Sequence, residues 1–203
     1  MADYYISKMT RPHWCRALAL LTVSIAACRD QAPFHATVIA DPLPAAALRS
    51  VDSRDNEFDL RNETGKVALV YFGYTHCPDV CPTTLADFAR ARLLLTAKER
   101  VAVRFVFVSV DPDRDTPAEA ERYAQRFDSS FVGLAPRAAE LDSVKTAWGF
   151  AVQRESMPGM ASEGYGVTHP AGVFVIDREG RVRMVFSPAT KPDDIASDLR
   201  RLM

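Results

Sequence analysis

The sequence has few cysteines and almost no excess of either charge. Four cysteines among 203 residues are too few for a disulfide framework, so each must be interpreted in its own context. Lys and Arg number 25 against 26 Asp and Glu, a net charge of −1 that leaves no basic excess for binding nucleic acid. Hydrophobic residues make up 48% and charged residues 25%. These proportions exclude wholesale disorder, collagen and a multi-span membrane protein.

The first 27 residues have the pattern of a secretory signal. Residues 1–16 carry Lys8, Arg11 and Arg16, and the uncharged run 17–27 (ALALLTVSIAA) follows them. This run is too short for a transmembrane helix, which needs about 20 apolar residues, but it suits the apolar core of a signal peptide. A length of 203 residues therefore leaves room for a leader, a tether and one domain of about 150 residues.

The apolar run ends in a sequence that resembles the cleavage box of bacterial lipoproteins. In Ile25-Ala26-Ala27-Cys28 the cysteine would become the lipidated first residue. We therefore predict a signal peptide over 1–27 and an Ala/Pro-rich tether over 28–50. Lipid at Cys28 would hold the domain at the cell membrane, facing the periplasm or another extracytoplasmic space. An ordinary signal peptide and an uncleaved anchor are the alternatives, and Met9 is a second candidate start.

From residue 51 to residue 203, strand-like and helix-like stretches alternate, which is typical of an α/β sheet. Residues 67–72 and 101–110 are mostly apolar on both faces, so they are predicted to be central strands. The other predicted elements are a helix after Pro82, a helix opened by the capping box at Thr116, a strand over 131–134, a helix stopped by Gly149, a hairpin of 173–177 and 181–186, and a last helix carrying Ile195, Leu199 and Leu202. This order predicts a thioredoxin-like fold with a central mixed sheet flanked by helices.

Two cysteines lie where the first central strand leads into the first helix. Pro82 is tolerated only in a first helical turn, so Cys77 and Cys81 flank the helix N-terminus. The helix dipole lowers thiol pKa values there, although Asp79 opposes that effect. Cysteines four residues apart on one turn can close a disulfide or hold one soft metal ion. A redox or metal role is therefore favoured, with an inert structural disulfide as the alternative.

A metal held by two thiolates usually takes a third ligand, and His169 is the best candidate. Thiolate pairs select Cu(I), zinc or iron–sulfur clusters. His169 stands just before the predicted strand that begins near residue 171, and in a thioredoxin-like sheet that loop lies against the start of the first helix. An imidazole there would complete a Cys2His site. The alternative is a half-buried histidine bonded to the backbone.

Three blocks of the sequence resemble the Sco/SenC family of copper chaperones. They are residues 71–82 (YFGYTHCPDVCP), residues 109–117 (SVDPDRDTP) and the loop of His169 leading into 176–180 (IDREG). They occur in the family's order, and the likeness covers roughly residues 50–203. It implies that Cys77, Cys81 and His169 bind one copper ion, as Cu(I) or Cu(II). Thr168 and Pro170 depart from the family, in which Asp commonly precedes the histidine and Ser or Thr follows it.

The resemblance implies a membrane-tethered copper-binding chaperone that assists assembly of the binuclear copper centre of cytochrome c oxidase. The expected partners are the copper-receiving subunit of the oxidase, a thiol reductant or copper donor, and the membrane; nucleic acid is not expected. We therefore do not expect, in the first place, an enzyme that turns over a substrate. The alternative is a thiol-disulfide oxidoreductase that reduces the cysteines of a copper-receiving protein, with Cys77 and Cys81 as its redox pair.

Other residues carry weaker signals. His76 adjoins Cys77 and is a candidate fourth ligand or base, but an outward-facing or backbone-bonded histidine is the favoured interpretation. Three aspartates in residues 111–115 suggest a hard-metal site, yet Pro112 and Pro117 favour a capped turn. Met157 and Met160 offer soft sulfurs, and we interpret them as ordinary loop residues rather than copper-docking groups.

Overall fold

The computed structural model describes residues 32–156 and 164–203. Its strands are β1 (Thr37–Val38), β2 (Arg49–Val51), β3 (Glu57–Asp59), β4 (Val67–Gly73), β5 (Val103–Ser109), β6 (Val132–Leu134), β7 (Gln153–Ser156), β8 (Tyr165–Thr168), β9 (Val173–Ile176) and β10 (Val182–Phe186). Its helices are α1 (Val80–Leu93), α2 (Ala97–Val101), α3 (Pro117–Gln125), α4 (Ala138–Trp148) and α5 (Pro192–Leu202).

A six-stranded mixed sheet forms the centre of the fold, in the order β1-β10-β9-β4-β5-β6. All seven residues of β4 are buried, since β5 pairs with it in parallel and β9 pairs with it antiparallel. Helix α1 packs against α5, and α3 packs on β5 and β6. The predicted central strands and the mixed α/β architecture are therefore confirmed. A strand that is buried on both faces has a nearly continuous run of apolar residues, as β4 does.

Several predicted boundaries agree with the structure. Thr116 caps α3 with a complete capping box: its hydroxyl accepts from the Glu119 amide, and the Glu119 carboxylate accepts from the Thr116 amide. Helix α4 ends at Gly149, which adopts the left-handed conformation with φ of 68° that glycine tolerates. Strands β9 and β10 form the predicted hairpin. These boundaries depend on local chemistry, and local sequence was enough to place them.

Helix α1 begins earlier than predicted, at Val80 instead of after Pro82. Cys81 therefore lies within the first helical turn, while Cys77 lies in the loop before it. Pro82 is the third helical residue, where its missing amide hydrogen costs no intrahelical bond. The small two-stranded units β2–β3 and β7–β8 were not predicted. β7 is exposed throughout, so its sequence lacks the alternating apolar pattern of a half-buried strand.

Much of the segment that we predicted to be a tether contacts the domain instead. Strand β1 pairs with β10, and the side chain of Leu48 is fully buried. The buried carboxylate of Asp198 accepts the backbone amides of His35 and Ala36 at 2.8 and 2.9 Å. The compact unit therefore begins at residue 34 and not at residue 51. The predicted signal peptide and Cys28 lie outside the described residues.

None of the helices in the described parts of the chain is both long and apolar enough to cross a membrane.

Candidate metal centre

The two cysteines lie at the carboxyl end of β4, where the chain turns into α1. The Cys77 amide donates to the Tyr74 carbonyl oxygen at 3.3 Å, which closes the turn between strand and helix. Gly73 ends β4 beside them. A Cβ atom at Gly73 would lie 2.9 Å from the Cys81 sulfur and 2.9 Å from the Phe107 ring. Glycine therefore lets the first turn of α1 approach the strand closely.

The structure brings Cys77, Cys81 and His169 together, as the sequence predicted. One ligand atom from each residue lies within 4.8 Å of the others. The Cys81 sulfur is 3.6 Å from His169 Nε2, and the Cys81 amide donates to the Cys77 sulfur at 3.4 Å. Both cysteines are free thiols. Cys81 is fully buried, whereas Cys77 and His169 are partly exposed.

The histidine ring is held in an orientation that presents Nε2 to the sulfurs. Its Nδ1 lies 3.0 Å from the Pro170 carbonyl oxygen, which can only accept a hydrogen bond. This contact therefore requires the proton on Nδ1 and directs Nε2 toward the sulfurs, where it can bind a metal once it carries no proton. The rings of Tyr71 and Tyr74 meet the imidazole edge-on, with centroids 6.0 and 5.8 Å from it.

The residues on either side of His169 make separate contacts. Thr168, at the position where Asp is common, donates its hydroxyl to Glu155 across the β7–β8 hairpin at 2.7 Å. Thr168 thus stabilises the hairpin, and the Pro170 carbonyl orients the ring of His169. The departure from the family pattern leaves His169 in a position to act as a ligand.

The two thiols have opposite pKa shifts. The pKa of Cys77 is held well below its usual range, first by the hydrogen bond from the Cys81 thiol and then by His169 and the backbone amides of Cys81 and Asp79, although burial opposes the shift. The pKa of Cys81 is raised, because its proton is shared with Cys77 and the side chain is buried. The reduced pair therefore carries its thiolate on Cys77 and its proton on Cys81.

The other candidate residues lie outside this group. Within the described part of the chain, the cluster able to hold a metal contains Cys77, Cys81 and His169 but not His76. The His76 ring is half exposed, and its Nδ1 lies 3.0 Å from the Thr75 hydroxyl and 3.4 Å from the Asp115 carboxylate. The favoured interpretation of His76 as an outward-facing residue agrees with this position. Met157 and Met160 lie outside the described residues.

Residues 111–115 form a turn, as predicted, and not a cluster of convergent carboxylates. The amides of Arg114 and Asp115 both donate to the Asp111 carbonyl oxygen. Asp111 and Asp115 are nearly fully buried and bind donors on different elements. Sequence reasoning missed these contacts, because their donors lie at residues 75 and 165, far along the chain.

An open groove borders the thiol and imidazole groups. Its lining residues include Tyr74, Pro78, Asp79, Glu155 and Thr168, in addition to Cys77 and His169. Asp79 is at the N-cap position of α1, but its side chain makes no capping hydrogen bond. The exposed edges of Cys77 and His169 are therefore reachable from solvent, while Cys81 is not.

The fold and the site together define a thioredoxin-like protein with a Cys2His cluster at the start of its first helix. The thioredoxin domain of a thiol-disulfide oxidoreductase from Bacteroides vulgatus shares this fold, with a TM-score of 0.55 over 80% of this chain and 97% of that chain at 15% identity. Residues 45–203 match the SCO1/SenC family, and the chain belongs to that family.

Relatives match most of the chain. A protein of Stutzerimonas stutzeri is 30% identical over 190 residues, which cover 92% of this chain and 91% of that one. The solution structure of apo Sco1 from Thermus thermophilus has 35% identity and a TM-score of 0.75, covering 84% of this chain and 98% of its own. Copper-bound ScoI from Bradyrhizobium japonicum has 33% identity and a TM-score of 0.69, covering 79% of this chain and 100% of its own.

Proposed function

We propose that this protein binds one copper ion through Cys77, Cys81 and His169 and assists assembly of the binuclear copper centre of cytochrome c oxidase. The observation that carries the proposal is the convergence of three ligand atoms within 4.8 Å in a chain of the SCO1/SenC family. Among the relatives, the copper-bound structure of ScoI from Bradyrhizobium japonicum supports the proposal. In this proposal the protein delivers the copper ion to a recipient and does not turn over a substrate.

The donor set fits copper in its reduced form. Soft thiolates favour Cu(I), and an imidazole with a free Nε2 lone pair supplies a third donor. Cu(II) prefers sites with more nitrogen and oxygen donors, so it depends on His169 more strongly than Cu(I) does. Both ligand sulfurs must be reduced and deprotonated, and the raised pKa of Cys81 means that metal binding releases a proton from that thiol.

The same thiols favour one alternative, a thiol-disulfide oxidoreductase. The Cys77 thiolate would attack one sulfur of a partner's disulfide, forming a mixed disulfide and expelling the partner's other sulfur as a thiolate. Cys81, losing its proton, would then attack the Cys77 sulfur. The new Cys77–Cys81 bond would release the second partner thiol, and an external dithiol would reduce the pair again. The exposure of Cys77 and the burial of Cys81 favour this order of attack.

Replacing His169 separates the two functions, and His35→Ala, whose ring contacts Asp194 on α5, is the matched histidine control. We expect reduced wild type to bind one copper ion, and Cys77→Ser or Cys81→Ser to lose tight binding, because one thiolate is gone. His169→Ala should still hold Cu(I) through its two thiolates but lose Cu(II) and fail to restore an oxidase-assembly defect. It should reduce a model disulfide at a similar rate, while His35→Ala behaves as wild type in every assay.

Each outcome decides between the alternatives. Full copper retention by either cysteine variant contradicts the metal site. Complementation by His169→Ala, with failure of the cysteine variants alone, would replace copper delivery with thiol exchange.

The N-terminal sequence supports a location for the protein at the membrane. We propose that processing before Cys28 and lipidation of that residue hold the domain at the extracytoplasmic face of the cell membrane. In that position it would meet the copper-receiving oxidase subunit and a copper donor or thiol reductant.

A further inference from the structure

One short turn contacts both halves of the candidate metal centre. Residues 111–115 follow β5, and Asp111 and Asp115 retain only 2% and 3% of their exposure. A buried carboxylate is costly unless hydrogen bonds compensate it. The donors that compensate these two carboxylates include groups on two different elements, the cysteine loop and the β7–β8 hairpin.

Asp115 holds the cysteine loop. Its carboxylate accepts the Thr75 amide at 2.8 Å and the Thr75 hydroxyl at 2.6 Å, and it also accepts the Ser109 hydroxyl at 2.5 Å. Thr75 is two residues before Cys77. Two hydrogen bonds from one residue fix both its backbone and its side chain, so Asp115 sets where the chain enters the turn that carries Cys77.

Asp111 holds the hairpin that ends at His169. Its carboxylate accepts the Tyr165 hydroxyl at 2.7 Å and Arg114 Nε at 2.5 Å. The Arg114 guanidinium lies 3.6 Å from the centre of the Tyr165 ring, so Tyr165 is fixed by its face as well as by its hydroxyl. Arg154 on β7 forms a second link to the turn through Asp113.

The turn itself has little freedom to move. The Asp115 amide donates to the Asp111 carbonyl oxygen at 2.9 Å, and the Asp111 amide donates to the Ser109 hydroxyl at 3.1 Å. Thr116 then caps α3 directly after it. The two carboxylates are therefore fixed relative to each other, and each holds one part of the ligand set.

We propose that residues 111–115 position the metal centre by holding the cysteine loop through Asp115 and the histidine hairpin through Asp111. The ligand atoms are thereby brought together during folding, before any metal binds. The entropy lost in ordering them therefore does not reduce the affinity for the metal. Asp111, Asp115, Thr75 and Tyr165 are positioning residues, and none of them touches the metal. The role in metal binding rests on the proposed function.

Two nearly isosteric variants each remove one of these contacts, that of Asp115 or that of Asp111. Thr75→Val removes the hydroxyl bond to Asp115, and Tyr165→Phe removes the hydroxyl bond to Asp111 while keeping the ring. Ser130→Ala is the control, since it removes a hydroxyl–carboxylate bond of 2.6 Å to Asp128, away from the site. Amide hydrogen exchange is measured on the reduced, metal-free full-length protein. We expect exchange to rise about threefold to tenfold in residues 75–77 for Thr75→Val and in residues 166–169 for Tyr165→Phe.

Copper titration then measures the effect on the centre. Tyr165→Phe should weaken Cu(II) binding about tenfold, and it should change Cu(I) affinity much less because two thiolates alone retain Cu(I). Thr75→Val should weaken both. Ser130→Ala should change neither affinity.

Three results would overturn the positioning role. They are unchanged exchange in both segments, a uniform rise over the whole domain, and copper affinities indistinguishable from those of Ser130→Ala. A wild-type protein that binds no copper would contradict the proposed function instead, and the exchange measurements on the metal-free protein would still decide whether the turn positions the three side chains.

Discussion

Cys77 and Cys81 are chemically identical in the sequence, but the fold makes them different. The first turn of α1 places Cys81 against Gly73 and the core, whereas Cys77 stays in the loop beside the open groove. The exposed sulfur has the lowered pKa, and the buried sulfur keeps its proton. An incoming disulfide or copper donor therefore meets Cys77 first.

This asymmetry predicts the order of alkylation. In reduced, metal-free protein treated with less than one equivalent of iodoacetamide, we expect Cys77 to be modified first, because it is both accessible and deprotonated. Peptide mapping by mass spectrometry gives the ratio of modified Cys77 to Cys81. In Cys77→Ser, which removes the favoured target, labelling should slow markedly. Preferential labelling of Cys81 in the folded wild type would contradict the assignment.

The three residues of the candidate site could be singled out from the sequence because their signals are local. A pair of cysteines before a proline and a histidine before a strand are visible without a structure. The contacts that hold them were not predictable, since Thr75 reaches Asp115 over 40 residues and Tyr165 reaches Asp111 over 54. Their geometry exists only after β4, β5 and the β7–β8 hairpin have come together.

At the scale of elements, prediction succeeded where burial or capping is encoded locally. β4 is a continuous apolar run, β5 is mostly apolar, and α3 has a complete capping box. Prediction failed for elements whose formation depends on tertiary contacts. β1 has two exposed residues and depends on its pairing with β10, so the local sequence resembled a linker.

The capping box of α3 gives a stability prediction. Thr116→Ala should lower the free energy of unfolding by about 1 kcal/mol, because the Glu119 amide loses its acceptor. Urea denaturation measures the loss. Thr96→Ala, which removes the equivalent cap of α2 far from the site, is the matched control and should cost a similar amount. No loss in either variant would contradict the capping role.

The contribution of Glu119 should depend on pH in a defined direction. Its pKa is lowered from the ordinary value of 4.5, first by the hydrogen bond from the Thr116 amide. A lowered carboxyl pKa stabilises the fold above 4.5, and that stabilisation is lost as the pH falls through the folded value. The difference in stability between wild type and Glu119→Gln should therefore be present at pH 7 and shrink in acid.

At the scale of the whole molecule, the position of the domain start would limit the distance between the domain and a membrane if Cys28 is the anchor. The compact unit begins at residue 34, only six positions after Cys28. A fully extended chain spans at most about 3.6 Å per residue, so an anchor at Cys28 would allow roughly 20 Å before the domain begins. The contacts from Asp198 to His35 and Ala36 fix that starting point on α5. A lipid at Cys28 would therefore keep the domain near the membrane surface.

The anchor itself is tested by the mass of the mature protein. We expect membrane-extracted wild type to begin at Cys28 and to carry a lipid, because the apolar run is too short to span a bilayer and ends in small residues before that cysteine. Cys28→Ser should abolish lipidation. Cys15→Ser is the matched control, since Cys15 lies in the segment predicted to be removed, and its product should have the wild-type mass. An unprocessed 1–27 segment, or a soluble product cut elsewhere, would refute the lipid anchor and with it the limit of roughly 20 Å on the distance between membrane and domain.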